Sequence, residues 1–351
     1  MRQWVTAAVF HTIAVLLAPG FAFAQKPDAP AKPALTPPAK AGDAGGRLDE
    51  DWSVLNLSAT HLTIAKPVVL ETVERDGFVR EMVALSWRPN DPVYVYVIRP
   101  KREMTNTVKP PVILYLYSYP QGTKRFTDDA YCRRLVASGC AAVGFESALT
   151  GERFAMRPMK QWFVSELRES LASTTHDVQL IINYLATRGD LDMARVGMFG
   201  QGSGGAIAVL AASVDARIKA VDLFVPWGDY PTWLQKTALI SENERAQFNT
   251  PAFLESVAGL DSVAHLPALK GRPVRVTLLK DEPSVPDVSQ SRLGDIATAM
   301  GATVQRFERN SAFLSAVNGG RLFAWLTKTM NALPPGEGKT GAKTPSVPAP
   351  P

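Results

Sequence analysis

A doubly wound α/β fold with a mostly parallel sheet is what this 351-residue sequence predicts. Three observations predict it. Short apolar runs such as Val112 to Tyr117, Ala141 to Phe145 and Val274 to Leu279 are solid rather than alternating, as strands covered on both faces are. Segments of helical period stand between them, and strands alternating with helices build a parallel, right-handed sheet. Finally, the run Arg195 to Met198 enters a helix through the crowded turn Phe199-Gly200-Gln201-Gly202-Ser203-Gly204-Gly205. A strand feeding a helix through such a turn makes either a nucleophile elbow or a phosphate cradle.

The elements follow in order from periodicity. Val79 to Trp87 and Val93 to Ile98 flank the turn cluster Arg88-Pro89-Asn90-Asp91-Pro92 and read as an antiparallel pair at the front of the sheet. Pro111 introduces the strand Val112 to Tyr117. A helix near Asp128 to Ala137 stops at Ser138-Gly139, before strand Ala141 to Phe145. An amphipathic helix over roughly Ser165 to Thr187 puts Leu167, Leu171, Val178, Ile181, Ile182 and Leu185 on one face. After the glycine turn come helix Ala206 to Val214 and strand Ile218 to Val225. A helical excursion over 227–271 follows. Strand Val274 to Leu279, helix Val288 to Met300, strand Thr303 to Phe307 and helix Arg321 to Ala332 close the domain.

The flanks differ in kind. Residues 1–24 read as a secretory signal, with Arg2 ahead of the apolar Trp4 to Leu17 and a cut expected after Ala22-Phe23-Ala24. Pro19 and Gly20 interrupt the apolar run before it can span a bilayer, so the expected destination is periplasmic or secreted. Residues 25–47 and 334–351 are rich in Pro, Ala, Lys and Gly and read as a disordered leader and tail around one domain, 48–333. Much of the net charge of +5 lies in these flanks, which argues against a nucleic-acid partner. Two cysteines, Cys132 and Cys140, are too few for a metal site, and whether they pair stays open. Neither a metal nor a cofactor is expected.

The segment Leu191-Asp192-Met193-Ala194-Arg195-Val196-Gly197-Met198 and the turn that follows it resemble the pattern D-x-x-R-V-G-x-x-G-x-S-x-G-G. With the order of elements from Val79 to Ala332, this resembles the α/β-hydrolase fold, most closely its dienelactone-hydrolase, acyl-esterase and prolyl-oligopeptidase-like branch. The resemblance implies a Ser-His-acid triad, and each position can be read off. Aligned on Gly200, Gly204 and Gly205, the nucleophile position is Gly202, with Ser203 one place late. The acid position falls on Glu282, beside Asp281. The histidine position falls on Ser311, and no histidine lies beyond His265. Where the family often has H-G-G as its oxyanion strand, this chain has Tyr117-Ser118-Tyr119-Pro120.

A serine hydroxyl is a weak nucleophile until a base takes its proton, so losing the histidine weighs more than a one-residue slip. Ser203 in a helix's first turn ordinarily satisfies an orphan N–H. His176 is expected on an exposed helix face, and His265 as a structural or surface residue. The expectation is an exported pseudo-hydrolase with a binding or scaffolding role. Its pocket would draw on Tyr117, Tyr119, Ser203, Trp227, Asp229 and Tyr230, facing a small apolar or aromatic molecule or a peptide, with a protein partner left open. Two rivals stand beside it. One is an ester or peptide hydrolase with displaced residues, Ser203 with Glu282 or Asp281. The other is dinucleotide binding through Gly200-x-Gly202-x-x-Gly205, with Asp222 as the ribose acid.

Overall fold

The computed structural model describes residues 51–336 except 60–65, 89–90, 102–107, 150–152, 154–162 and 319–320. The signal sequence, the leader and nearly all of the tail lie outside the described residues.

The sheet has nine strands: β1 (Val68–Arg75), β2 (Phe78–Leu85), β3 (Val93–Pro100), β4 (Pro111–Leu116), β5 (Ala141–Phe145), β6 (Asp192–Gln201), β7 (Ile218–Phe224), β8 (Val274–Leu279) and β9 (Thr303–Phe307). Their spatial order is β1-β2-β3-β5-β4-β6-β7-β8-β9. The pairs from β5 through β9 are parallel, and β1, β2 and β3 join antiparallel. The order reverses at β4, and a crevice outside the carboxyl ends of the strands at such a point is where open α/β sheets bind ligands. The turn at Gly202 lies there, at the end of β6.

The sequence reading missed β1. Its alternation is poor because seven of its eight residues are exposed at the edge of the sheet. The buried strands β4, β5 and β8 carry no exposed residue, as their solid apolar runs require.

Helices cover both faces. Those that frame the site are α1 (Asp129–Val136), α2 (Leu167–Ala186) and α3 (Ser203–Val214). The expected excursion holds four short α-helices, α4 (Tyr230–Lys236), α5 (Glu242–Phe248), α6 (Pro251–Ala258) and α7 (Ser262–His265), and a 3-10 turn, Leu266–Leu269. α8 (Asp287–Ala299), α9 (Asn310–Asn318) and α10 (Arg321–Ala332) complete the chain. Among the described residues, no helix is long and apolar enough to cross a membrane.

One expectation about α2 is overturned. His176 and Asp177 are buried, not exposed. Residues Val54 to Leu57 lie along that face: His176 Nε2 bonds Val54 O at 2.6 Å, and Gln179 bonds Leu55 O and Leu57 N. Asp177 accepts from Trp87 Nε1 at 2.6 Å and pairs with the buried Arg153. The polar stripe of α2 is therefore a second packing face, paired except at the buried His176 Nδ1, which hydropathy alone reads as solvent-facing.

Candidate functional site

Gly202 has φ 54° and ψ −116°, a backbone conformation that side chains rarely adopt and glycine takes freely. The turn is locked on every side. Gly202 N–H donates to Phe224 O at 2.9 Å, and Gly202 O accepts from Trp227 N at 3.0 Å. The helix can come this close to the strands because Gly204 has no Cβ, which would otherwise run into the Leu116 backbone. This is a sharp strand-to-helix turn with a glycine, which carries no side chain, at its tip.

The space of that missing side chain is filled. A Cβ at Gly202 would collide with Ser118 Oγ and lie 2.7 Å from Ser118 Cβ and 3.3 Å from Trp227 Nε1. Ser118, in the loop after β4, is thus the residue at the tip that the sequence reading gave no role. A signal for it was present: a serine stands in the loop after β4 and a glycine at the turn, where the resemblance implies the reverse.

The donors that would serve an oxyanion are also engaged. Ser203 N–H points to Ser118 Oγ at 3.4 Å, and Tyr119 N–H donates to Ser203 Oγ at 2.8 Å. Ser203 is fully buried, and the N–H that its hydroxyl satisfies belongs to Tyr119 and not to its own helix. Its hydroxyl ties the β4 loop to α3, and among the described residues no histidine nitrogen bonds it. His265 bonds Ser213 Oγ and Gly259 O, a structural placement.

Among the described residues, no hydrogen bond joins the expected acid and histidine positions, Glu282 and Ser311, to each other or to Gly202. Glu282 is buried, and its Oε1 accepts from Ser284 N at 3.0 Å and Ser284 Oγ at 2.7 Å. Burial raises its carboxyl above the usual glutamate range, against the pull of those two bonds. Asp281 is exposed, with φ 58°. Ser311 is exposed in the first turn of α9, a helix the sequence reading did not include, and no hydrogen bond joins it to Gly202 or Glu282 among the described residues.

Of the expected pocket residues, Tyr117 is a core residue. Its hydroxyl pairs with that of Tyr131, and its ring lies under Arg125 at 3.7 Å. Trp227, Tyr230 and Trp233 are fully buried, with Trp227 and Trp233 in contact at 4.7 Å. Half-buried Tyr119 stacks on Phe163 at 4.7 Å. Asp229 is buried and paired with Arg292 at 2.6 Å. Two side-chain donors here, Trp227 Nε1 and Tyr230 OH, are buried with no partner. Leaving one such group unpaired costs about 1–3 kcal/mol.

Asp222, the ribose acid of the dinucleotide reading, is fully buried and bonds Arg275 through both oxygens at 2.8 and 2.7 Å. Burial pushes its carboxyl up to about 6, with Arg275 pulling the other way. Its carboxylate is part of the sheet interior and is not offered to a ligand. Among the described residues, no three His, Cys, Asp or Glu side chains are placed to hold a metal. A shallow cavity of about 200 Å³ lies two strands away, at the ends of β8 and β9, lined by Lys280, Asp287, Gln290, Arg306 and Glu308. Cys132 and Cys140 are separate buried thiols.

No family model and no curated protein sequence matches the chain. Solved structures do. The acetyl xylan esterase from Paenibacillus sp. R4 superposes with a TM-score of 0.58 at 12% identity, over 75% of this chain and 90% of that one. Acetyl xylan esterase 1 from Thermoanaerobacterium sp. JW/SL YS485 gives 0.58 at 14%, over 79% and 92%. The acylaminoacyl peptidase of Pyrococcus horikoshii gives 0.51 at 12%, over 74% and 48%. With the strand order and the turn at Gly202, these likenesses establish that the chain has the α/β-hydrolase fold.

Proposed function

We propose that this is an exported α/β-hydrolase-fold protein that binds through its former active site without cleaving what it binds. One observation carries the reading: the Ser118 side chain occupies the place of the nucleophile's side chain at Gly202. A restored serine at 202 would have nowhere to go. Ser203 cannot substitute while its hydroxyl accepts from Tyr119 N–H inside a fully buried turn. Among the described residues no histidine bonds either serine, and an unassisted hydroxyl is a poor nucleophile. The export part of the proposal rests on the composition of residues 1–24.

The reading is tested with a fluorophosphonate probe and a panel of short acyl esters and aminoacyl amides. The expected outcome is no labelled serine and no turnover above buffer. Labelling of Ser203 with turnover that is lost in Ser203→Ala would establish the displaced-triad enzyme instead.

A further inference from the structure

We infer that a second site, in the cavity at the carboxyl ends of β8 and β9, binds a free α-amino acid as its zwitterion. The cavity lies two strands from the turn at Gly202, so this site is independent of the reading of the elbow. β8 and β9 run parallel with Leu278 opposite Arg306, and the first turns of α8 bring Asp287 and Gln290 to their ends. The floor is fixed. Leu278 is buried, and the Gln290 amide is spent within the chain: it accepts from Leu279 N at 2.8 Å and donates to Leu279 O at 2.7 Å and Val285 O at 2.9 Å. Arg306 is set beside it by a glycine. A Cβ at Gly294 would run into Arg306 Nη2 and lie 2.9 Å from Leu278 Cδ1, so the absent side chain leaves the room that the guanidinium takes. The volume of about 200 Å³ is below the ~300–1,000 Å³ of sites for drug-sized ligands. It admits a small molecule and not a peptide or a nucleotide.

The charges decide which small molecule. Lys280 and Arg306 line the cavity with Asp287 and Glu308, so its wall is neutral in sum. Most of their bonding capacity is unspent. The Lys280 and Arg306 side chains make no hydrogen bond among the described residues. Each holds a loose ion pair with an exposed carboxylate, Lys280 with Glu308 at 3.7 Å and Arg306 with Asp295 at 3.9 Å. Exposed pairs of this kind stabilise little, so a ligand displaces them at small cost. Asp287 accepts from Asp281 N through Oδ1 at 3.1 Å, and its Oδ2 accepts no hydrogen bond among the described residues. A simple anion would face the two carboxylates, and a simple cation the two basic groups. A small molecule that carries both charges finds a partner for each. An α-amino acid matches the wall group by group. Its carboxylate takes parallel bonds from the fork of Arg306 with Lys280 beside it, and its ammonium has three donors for Asp287 and Glu308. Recognition is therefore of the charged groups on one carbon, with a small side chain.

The probes are L-alanine, N-acetyl-L-alanine and L-alaninamide, which share a skeleton and differ in the charges they carry at neutral pH. Each is titrated by calorimetry into the full chain. Alanine should bind about tenfold or more tightly than either analogue, each of which lacks one charge. Arg306→Gln and Glu308→Gln each remove one charge from an exposed position and should weaken alanine about tenfold. Arg306→Lys keeps the charge, loses the fork and should weaken it severalfold. Far-UV circular dichroism checks folding, and Glu308→Gln carries the test alone if the Arg306 variants do not fold. Equal binding of N-acetylalanine would make this an anion site, and equal binding of alaninamide a cation site. Either result, no binding of alanine, or unchanged affinity in the folded variants would overturn the proposal. None of these outcomes bears on cleavage at the elbow, which the fluorophosphonate probe tests by itself.

Discussion

At the scale of single residues, the chemistry turns on a pair of small side chains. Glycine at 202 relieves the strain of the elbow, and serine at 118 fills the volume that glycine leaves. The two positions should therefore be energetically coupled. Gly202→Ser adds positive-φ strain and overpacking and should destabilise the fold by about 2 kcal/mol or more. Ser118→Gly in that background should restore part of the loss, as a double-mutant cycle by urea unfolding would measure. Two buried titratable groups give opposite pH responses. Burial raises the Glu282 carboxyl, so between its unfolded and folded values the native state holds a proton that the unfolded chain has released. Stability then falls as pH climbs from about 4.5 through that window. Glu282→Gln should remove this fall and make the variant relatively more stable at pH 7 than at pH 4.5. Burial lowers His176 below the usual 6.5, so on acidification the unfolded chain binds a proton before the native state does. Stability is lost as pH drops below about 6.5, and His176→Gln, measured by thermal melts from pH 7.5 to 5, should flatten that slope.

At the scale of elements, apolar periodicity placed the buried strands nearly residue by residue, because a strand covered on both faces has no freedom to be polar. It missed β1, whose edge position imposes no such demand, and α9, which holds Ser311 between β9 and the last helix. The Asp222–Arg275 pair joins the neighbouring strands β7 and β8 inside the sheet. A local motif match at Gly200-x-Gly202-x-x-Gly205 made Asp222 a ligand for ribose, whereas strand pairing gives it an arginine. Removing one partner leaves a buried charge alone, so Arg275→Met should destabilise by about 3–5 kcal/mol. The double variant Asp222→Leu with Arg275→Met should recover most of that in chemical denaturation.

At the scale of the whole molecule, residues 54–57 pack against α2, far along the chain. Leu55 and Leu57 are buried, and their backbones bond Gln179, while Arg88 lies over the rings of Trp52 and Trp87 at 4.4 and 4.0 Å. A chain beginning at residue 48 should melt at the same temperature as the full chain. One beginning at residue 60 should melt several degrees lower, because it uncovers His176 and Gln179 on α2. Differential scanning calorimetry of the two truncated chains checks both statements.

The sequence by itself determined the α/β class, the order of the buried elements and the absence of serine and histidine at Gly202 and Ser311. These follow from local periodicity and from residue identity along one aligned segment. Only the tertiary structure decided what fills the elbow, because Ser118 and Gly202 are 84 residues apart in the chain and meet through the parallel pairing of β4 with β6. It likewise decided that Ser203 accepts from Tyr119 and that Asp222 belongs to Arg275. Partners across neighbouring strands are set by register, which no single strand's sequence contains. The glycine turn thus reads as an elbow from sequence, and as a closed one only once the β4 loop is laid against it.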